Sequence, residues 1–319
     1  MTQQPLLSIC IPTYNRASYL KNCLDGIVAQ FGEIPVKNLV EIVISDNASE
    51  DNTKEIVEKF QRDFTNIKYF KNETNLGLDE NIIQSVVKAS GKYCWNIGDD
   101  DLIQNGTLKF IVDFLSKNEV SLLTVAFHPF IDIKKSLLPI PSIPESAIEL
   151  STSPEEFYKK GHCQGILGIF IFNRDLYLKV DRKNYEPFWP YYEIILKMLP
   201  GSQLKMAYLN YPVLFIGQDY RWNTGGNTLF ILIHIRRVFN KLRKFGYSKG
   251  FTDNELKNFS KGLFLTITKA KATGLNCSLD NLFLIYKEFS DYPLQLFLVT
   301  LIFFIPNPTF RFLKKLKLW

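Results

Sequence analysis

The chain has 319 residues, of which 46% are hydrophobic and 22% are charged, and its formal net charge is +6. This length and apolar content suffice for a large hydrophobic core and exclude a disordered protein. The five cysteines show no CxxC or other metal-like spacing, which excludes a zinc module and a disulfide scaffold. They are typical of small core residues in a reducing compartment.

The charge is unevenly distributed along the chain. Residues 229–319 contain 15 basic and 5 acidic side chains, whereas the rest of the chain is mildly acidic. The N-terminus lacks the basic segment of a signal peptide, and the longest apolar run, 294–305, is too short to span a bilayer. The asymmetry therefore indicates an anionic partner surface, either a membrane or a nucleic acid.

The first 127 residues alternate between strand and helix patterns. Short apolar runs and amphipathic segments follow one another, which predicts an α/β fold with a mostly parallel sheet and helices on both faces. The predicted strands are 6–11, 40–45, 67–70, 92–97 and 121–127, and the predicted helices are 17–30, 51–64, 79–90 and 104–117.

The pattern is less regular in the second half. Five prolines between 129 and 154 predict an irregular excursion. A core-like apolar pattern resumes at 166–172. A helix is then predicted at 191–199, followed by strands at 204–209 and 213–216. The basic C-terminal part is predicted to form helices at 229–245, 254–272, 279–289, 294–305 and 309–318. We therefore predict an α/β domain over residues 1–227 and a helical region over residues 228–319.

Polar segments follow the first four predicted strands. They read PTYNR at 12–16, SDNASED at 45–51, NETNLG at 72–77 and GDDD at 98–101. Because ligands bind beyond the carboxyl ends of the strands in an open parallel sheet, we expect these segments to converge on one site. Neither GxGxxG nor a P-loop sequence is present, which disfavours a Rossmann dehydrogenase and a P-loop NTPase.

The acidic segment Asp99–Asp101 is the sharpest local signal. Adjacent carboxylates repel one another, so a neutralising cation is expected, and hard divalent ions prefer such oxygen ligands. The alternative is a solvated helix start with Asp101 as its N-cap. For Asp46 the alternative is a turn or cap residue, and for Asn75–Gly77 it is a turn that needs glycine.

Together these segments resemble the family 2 glycosyltransferases. The resemblance rests on SICIPTYNR at 8–16, ISDNASEDNT at 44–53, NLG at 75–77 and the acidic turn at 98–101, and it covers about residues 6–220. It implies the GT-A fold, a nucleotide-diphosphate sugar donor and a divalent metal, Mn²⁺ or Mg²⁺. The general layout is similar to O-antigen and capsule-type sugar transferases such as abequosyltransferase-like enzymes.

The resemblance also implies roles for individual residues. Asp100 would contact the metal, with Asp99 or Asp101 assisting, and Asp46 would accept a hydrogen bond from the nucleotide base. The chain departs from the family pattern at Gly98, where the first carboxylate of the usual D-x-D-D is missing. The residues expected to bind the nucleotide sugar are Pro12, Thr13, Tyr14, Arg16, Asp46, Asn75, Gly77 and Asp99.

A second departure concerns the catalytic base. The Glu-Asp pair of the family would fall on Pro190 and Tyr191, neither of which accepts a proton as a carboxylate does. The remaining candidates for the base are Glu193, Glu186 and His162. For Glu193 the alternative is an exposed helix residue. Family resemblance implies an inverting reaction.

The segment QDYRW at 218–222 matches the Q-x-x-R-W motif of processive polysaccharide synthases. Those enzymes combine it with transmembrane helices, so we interpret it as a chance match or as a local acceptor-binding role for Trp222 and Arg221. The predicted function is sugar transfer to a saccharide acceptor, lipid-linked and of undecaprenyl type, in bacterial surface polysaccharide or O-antigen synthesis. The alternative is a catalytically impaired nucleotide-sugar-binding protein.

The C-terminal helices combine apolar faces with lysine and arginine. The segment RFLKKLKLW at 311–319 predicts a basic amphipathic helix that lies in a membrane interface. Nucleic acid is not expected as a partner, because the basic residues are interleaved with aliphatic ones. We therefore predict a cytoplasmic enzyme, peripheral on the inner face of the cell membrane. A helical cap or a homodimer interface is the alternative for these helices.

Overall fold

A computed structural model describes residues 4–32, 34–129, 143–217 and 227–315. The chain divides into two compact units. The first consists of Met1–Asn184 and Pro190–Asp219, and the second of Tyr185–Trp189 and Tyr220–Trp319. The division into domains at residues 227 and 228 stays a prediction.

The first unit is built around one sheet, which has nine strands among the described residues. The strands are β1 (Leu7–Thr13), β2 (Val40–Asp46), β3 (Ile67–Lys71), β4 (Tyr93–Asn96), β5 (Leu102–Ile103), β6 (Val120–Pro129), β7 (Ile148–Ser151), β8 (Phe170–Asn173) and β9 (Lys205–Ile216). Their order in the sheet is β3-β2-β1-β4-β8-β6-β9-β5, and β7 pairs with β9.

Helices connect most of these strands. They are α1 (Ala17–Val28), α2 (Ile34–Leu39), α3 (Thr53–Asp63), α4 (Leu78–Val87), α5 (Thr107–Lys117), α6 (Pro154–Lys159), α7 (Arg174–Lys179) and α8 (Pro190–Met198). Strands β1 and β2 read as continuous apolar runs and are buried along their whole length, as strands covered on both faces must be.

The strand order places a crevice at one end of the sheet. Strand β1 pairs in parallel with β2 on one side and with β4 on the other. The connections therefore leave β1 in opposite directions, and such a topological switch point opens a ligand crevice beyond the carboxyl ends of the strands.

The sheet has three features that the sequence analysis did not predict. It is mixed, because β8 runs antiparallel to β4 and both β5 and β7 run antiparallel to β9. The two strands predicted at 204–209 and 213–216 form the single strand β9. Pro212 lies at an irregularity in the register between β6 and β9, where a missing backbone N–H is tolerated. Strand β7 also lies within the stretch predicted to be irregular.

The second unit is helical among its described residues. Its helices are α9 (Asn227–Leu242), α10 (Lys249–Lys261), α11 (Leu263–Ala272), α12 (Leu279–Glu288), α13 (Pro293–Phe303) and α14 (Asn307–Lys315). Their core contains the buried side chains of Leu229, Ile233, Leu263, Ile267, Ile285, Phe289, Val299 and Phe303.

One prediction for this unit is changed. The single helix predicted at 254–272 is two helices, α10 and α11, which separate at Gly262. In the part of the chain that the structure describes, no single helix is long and apolar enough to cross a membrane. Helices α13 and α14 pass that test only as a pair, and they are bent by 94° relative to each other.

A buried carboxylate joins three segments of the first unit. Glu41 on β2 accepts hydrogen bonds from the Ser8 hydroxyl at 2.6 Å and from the Ser90 backbone N–H at 2.6 Å, and it pairs with Lys68 at 2.5 Å. Burial raises the pKa of Glu41, but the bonds from Lys68, Ser8 and Ser90 outweigh burial and lower it overall. The folded state therefore favours the ionised carboxylate.

We predict that Glu41→Gln lowers the free energy of unfolding by about 2 kcal/mol at pH 7, because a charged acceptor of several hydrogen bonds is lost. Since the pKa of Glu41 is lowered by folding, its contribution is complete above the ordinary glutamate pKa of about 4.3 and disappears as the pH falls below it. Urea denaturation of both proteins between pH 7 and pH 3 tests this. Glu58→Gln, at an exposed ion pair, is the control. An equal difference at pH 7 and pH 3 would contradict the prediction.

Candidate functional site

The loop after β1 is fastened to the loop after β2. The Asn15 backbone N–H donates to the Ser49 hydroxyl at 2.9 Å, and the Asn15 side chain accepts from the Glu50 backbone N–H at 2.8 Å. The Ala17 N–H, at the start of α1, donates to the Asp51 carboxylate at 3.0 Å. These reciprocal bonds hold the two loops as one rigid structure at the carboxyl end of the sheet.

Asparagine side chains attach the loop after β3 to the same structure. The Asn47 amide donates to Asn75 Oδ1 at 2.7 Å, and the Asn72 amide donates to Asn47 Oδ1 at 3.1 Å. Asn81 on α4 is buried and donates to the Ser45 carbonyl at 2.9 Å. Gly77 has φ 84° and ψ 163°, a backbone region open almost only to glycine, so the predicted glycine turn is confirmed.

Arg16 and Thr13 join the loop after β1 to the acidic turn after β4. Arg16 Nε lies 2.8 Å from Asp99 Oδ1, and its Nη2 lies 2.8 Å from Asp100 Oδ2. The Thr13 hydroxyl donates to Asp99 Oδ2 at 2.8 Å. The Arg16 guanidinium also lies over the Tyr19 ring, 4.4 Å from its centroid. One arginine therefore carries the positive charge that two neighbouring carboxylates need.

Asp101 is buried at the base of this turn. Its carboxylate accepts the backbone N–H groups of Gly98 at 2.7 Å and of Gly217 at 3.0 Å. The alternative of a solvated helix N-cap is wrong, because the next helix begins only at Thr107 and follows Gly106. Burial and then the charge of Asp100 raise the pKa of Asp101 to about 8.

Asp99 is also enclosed. Burial raises its pKa to about 6, although Arg16 and the Thr13 hydroxyl act in the opposite direction. The turn as a whole therefore keeps carboxylates in surroundings that favour an added positive charge.

Three glycines surround the acidic turn. A β-carbon on Gly217 would lie 2.2 Å from Asp100 Cγ, and one on Gly168 would lie 2.9 Å from Asp101 Oδ2. A β-carbon on Gly98 would lie 2.9 Å from Asp100 Oδ1. We call Gly98, Gly168 and Gly217 the glycine collar.

Sequence reasoning missed two members of the collar and the asparagine network. A usable signal existed for Gly217, because it follows directly on β9, whose carboxyl end lies on the same side of the sheet as that of β6. The signal for Asn81 was a polar residue among the apolar positions of α4. For Gly168 no comparable signal exists, since it approaches the turn from a loop.

Asp46 lies at the end of β2 and is fully buried. It accepts hydrogen bonds from the Ser49 backbone N–H at 2.8 Å and from the Tyr69 hydroxyl. The turn role given above as its alternative is therefore present. Burial and the Asp46 carboxylate raise the pKa of Tyr69. A ligand group that bonds to Asp46 has to share or displace the Tyr69 hydroxyl.

The candidate bases Glu193 and His162 have partners in the first unit. Glu193 on α8 is fully buried and pairs with Lys197 at 2.5 Å, so the alternative of an exposed helix residue is wrong. His162 Nε2 lies 3.1 Å from Glu149 Oε2, and its ring stacks on Tyr208 with a centroid distance of 4.0 Å.

The third candidate base, Glu186, belongs to the second unit. It lies 2.8 Å from His234 Nδ1 and 2.8 Å from Lys241 Nζ. Hydrogen bonds from Lys241 and His234 outweigh the effect of burial and lower the pKa of Glu186. Pro190 begins α8, one residue before the predicted start of this helix, and the Tyr191 hydroxyl donates to the Gly165 carbonyl at 3.1 Å.

The remaining predicted site residues differ in position. Pro12 is buried in β1 opposite Ser45 of β2, whereas Tyr14 is exposed in the loop that follows. Arg221 and Trp222 lie outside the described residues. Within the described ranges, no three histidine, cysteine, aspartate or glutamate side chains form a ready-made metal-binding group.

Comparison with known proteins identifies the class to which this fold and crevice belong. Residues 8–174, just over half of the chain, match the profile of Glycosyl transferase family 2. The chain belongs to this family.

Two relatives and one solved structure illustrate the similarity. Abequosyltransferase RfbV of Salmonella typhimurium is 29% identical over 285 residues, which are 83% of this chain and 84% of that protein. The GalNAc(5)-diNAcBac-PP-undecaprenol beta-1,3-glucosyltransferase of Campylobacter jejuni is 35% identical over 109 residues, which span only 34% of either chain. The crystal structure of S. aureus TarS in complex with UDP-GlcNAc has a TM-score of 0.62 at 17% identity and covers 91% of this chain and 90% of that chain.

These matches confirm the resemblance to family 2 glycosyltransferases and the GT-A fold expected from the sequence. They do not assign individual residues, so the roles of the nucleotide-binding, metal, acceptor and catalytic residues stay predictions. What the geometry adds is that the four polar loops of the first unit are joined through Thr13, Arg16, Asn47 and Asn15.

We predict that Gly217→Ala displaces the Asp100 side chain and weakens binding of a nucleoside diphosphate by at least about 10-fold. A 10-fold loss equals about 1.4 kcal/mol of binding free energy, and we expect at least this cost because the displaced carboxylate no longer holds its charge in place beside the ligand. Thermal shift with Mn²⁺ and a panel of UDP, GDP, CDP and dTDP measures the loss. Gly201→Ala is the control, since its β-carbon approaches only the Met198 carbonyl at 4.0 Å. Equal shifts in both variants would contradict the prediction.

Proposed function

We propose that the chain transfers a sugar from a nucleotide-diphosphate donor to the hydroxyl group of a saccharide acceptor. One observation carries the proposal: Arg16 lies between Asp99 and Asp100 at the switch point of the sheet, inside the set of loops that the family sequence pattern defines. A site that places a guanidinium and carboxylates side by side at the switch point fits a ligand with a charged diphosphate and a polar sugar.

The chain's own residues have distinct tasks in this proposal. The loops after β1 and β2 hold the nucleoside, with Asp46 and Tyr69 at the base of the crevice. Arg16 supplies a guanidinium beside the place where the diphosphate develops charge as it departs. Thr13 fixes the Asp99 carboxylate and thereby the position of Arg16.

A divalent metal, Mn²⁺ or Mg²⁺, fits the donor set at the acidic turn. Mg²⁺ is usually held by one or two carboxylates together with substrate phosphates, so a complete protein cage is not required. Asp100 and Asp101 would hold the metal. Burial raises the pKa of Asp101 to about 8, and a bound cation would offset the cost of ionising this buried carboxyl group. When bound, such an ion neutralises charge on the leaving diphosphate.

The acceptor is proposed to be a lipid-linked saccharide of undecaprenyl type, used in bacterial surface polysaccharide or O-antigen synthesis. Similarity to a glucosyltransferase named for an undecaprenol-linked acceptor supports this choice, as does similarity to an abequosyltransferase. The enzyme would then work in the cytoplasm at the inner face of the cell membrane. An inverting reaction is proposed from family membership.

Release of nucleotide from a donor without acceptor tests the proposed function directly. We expect slow hydrolysis of one nucleotide sugar out of a panel, with Mn²⁺ present, and faster release when a lipid-linked saccharide is added. A donor that binds in a thermal-shift assay and is never turned over by any acceptor would favour the alternative of an impaired nucleotide-sugar-binding protein.

We predict that Asp100→Asn lowers kcat at least about 100-fold, because it removes the charge that faces Arg16 and the proposed metal while keeping the shape of the side chain. Turnover at saturating donor and Mn²⁺ is the measurement. Asp113→Asn, at an exposed ion pair on α5, is the matched control and is expected to retain full activity. Near-normal turnover by Asp100→Asn in metal-free buffer would remove the metal role from this residue.

We predict that Glu193→Gln lowers the free energy of unfolding by about 3 kcal/mol, because it removes one charge of a buried ion pair. Urea denaturation measures the loss. In Lys197→Met the effect is similar, and in the double variant Glu193→Leu/Lys197→Leu most of the stability returns, since an apolar pair of similar volume can replace a buried ion pair. A double variant as unstable as the summed single variants would contradict this.

Kinetics of the same variants decide whether Glu193 is the base. A base role predicts a kcat reduced by about 10²–10⁴ in Glu193→Gln, with loss of the acidic limb of the pH–rate profile. Lys197→Met, which disrupts the same pair, retains that limb if Glu193 accepts the proton. Equal kinetics in the two variants remove Glu193 from the candidates.

A further inference from the structure

Helix α13 is apolar on both of its faces. Leu296, Val299 and Phe303 form its buried stripe and pack into the core of the second unit. Leu294 and Leu301 belong to the opposite stripe and are 65% and 58% exposed. A helix that is hydrophobic all round is normally buried or in contact with a membrane, so the outer stripe requires a partner.

The exposed apolar surface extends beyond α13. Phe297 and Phe304 continue the outer stripe, and Phe283 on the preceding helix α12 is 69% exposed. The Tyr286 hydroxyl and the Thr300 hydroxyl, 2.7 Å apart, connect α12 to α13. We call the exposed side chains of Phe283, Leu294, Phe297, Leu301 and Phe304 the apolar face.

The charge that follows this face along the chain, from Tyr292 onwards, is entirely positive. The sequence from Tyr292 to Trp319 contains no aspartate or glutamate. On α14, Phe310 is buried and anchors the helix, while Arg311, Lys314 and Lys315 are exposed. An apolar surface beside a basic helix matches the two parts of an anionic lipid surface, its acyl boundary and its headgroups.

We propose that the apolar face inserts into the interfacial layer of an anionic bilayer while Arg311, Lys314 and Lys315 contact the lipid headgroups. With 11 residues, α13 is about 16 Å long, which is half the hydrocarbon thickness, so it lies in the interface and does not cross it. A second copy of the chain would present the same basic α14, whereas an anionic bilayer supplies the opposite charge, so the bilayer is the better match.

This proposal deepens the proposed use of a lipid-linked acceptor and moves the principal contact from the basic tail to α13. Truncation cannot test it, because deleting α13 removes Val299 and Phe303 from the core of the second unit. Substitution of exposed side chains leaves that core intact.

Co-sedimentation with phosphatidylcholine vesicles, with and without phosphatidylglycerol, tests the proposal in the full chain. The variant Phe297→Ser/Leu301→Ser/Phe304→Ser is expected to bind vesicles on the order of 100-fold more weakly. Arg311→Gln/Lys314→Gln is expected to lose about 30-fold, only with anionic vesicles and only at low salt. Leu150→Ser, a half-exposed leucine of the first unit, is the matched control.

Unchanged vesicle binding by the triple apolar variant would overturn the proposal. It would also be overturned if the native chain were a dimer in sedimentation velocity, the triple variant a monomer, and vesicle binding the same for both. Circular dichroism and the melting temperature, expected to remain near those of the native chain, verify folding. Donor hydrolysis measured without vesicles is expected to be unchanged in these variants, so a failure of the proposed function is seen separately.

Discussion

The placement of Arg16 between two carboxylates is the interaction on which the site depends. Three consecutive aspartates at the end of β4 would repel one another, and two of them, Asp99 and Asp101, are buried. Arg16 opposes that repulsion with one planar group that reaches Asp99 and Asp100 at 2.8 Å each. Because Arg16 follows β1 and the aspartates follow β4, this contact also joins the two loops on either side of the switch point of the sheet.

The surrounding loops keep that contact in place. Asn15 and Ala48 have positive φ values of 51° and 66°, conformations that are costly for alanine and survive only where neighbouring contacts impose them. Here the bonds between Asn15, Ser49 and Glu50 impose them. The glycine collar acts on the other side of the turn, since side chains there would occupy the positions of the carboxylates. The hydrogen-bonded loops after β1 and β2 thus hold Arg16 in place, whereas the glycine collar leaves space for the aspartate side chains.

The spacing of apolar residues predicted those strands and helices that are determined by residues close together in the sequence. The alternation of apolar runs with helical periods located the strands β1 to β4 and the helices α1, α3, α4 and α5, whereas the short helix α2 was not predicted. Parallel strands buried on both faces must be continuously apolar, which makes such strands visible in the sequence. The direction of β8 and the joining of two runs into β9 were not predictable in this way. They depend on pairing with strands that are distant in sequence. Pro212 separates the two apolar runs in the sequence, but an irregular register with β6 accommodates it within one strand.

The site shows the same limit more sharply. The polar loops were predictable because strand ends share one edge of a sheet, but their internal bonds were not. Gly168 and Asn81 act through contacts with residues more than 35 positions away. Burial also reversed an expectation: Glu193 was open to interpretation as a surface residue, and the structure encloses it with Lys197. A carboxylate in the sequence does not reveal whether solvent or a lysine surrounds it.

The uneven distribution of charge along the chain corresponds to different physical features of the two units. In the first unit, the buried carboxylates of Asp99 and Asp101 lie in the acidic turn that Arg16 contacts, where a cation or a charged ligand reduces the cost of burying them. The second unit has an excess of basic residues, and it also has apolar side chains that are exposed outside its own core. Salt and vesicle composition act on the second feature, whereas nucleotide and metal act on the first. Each feature can therefore be perturbed without disturbing the other.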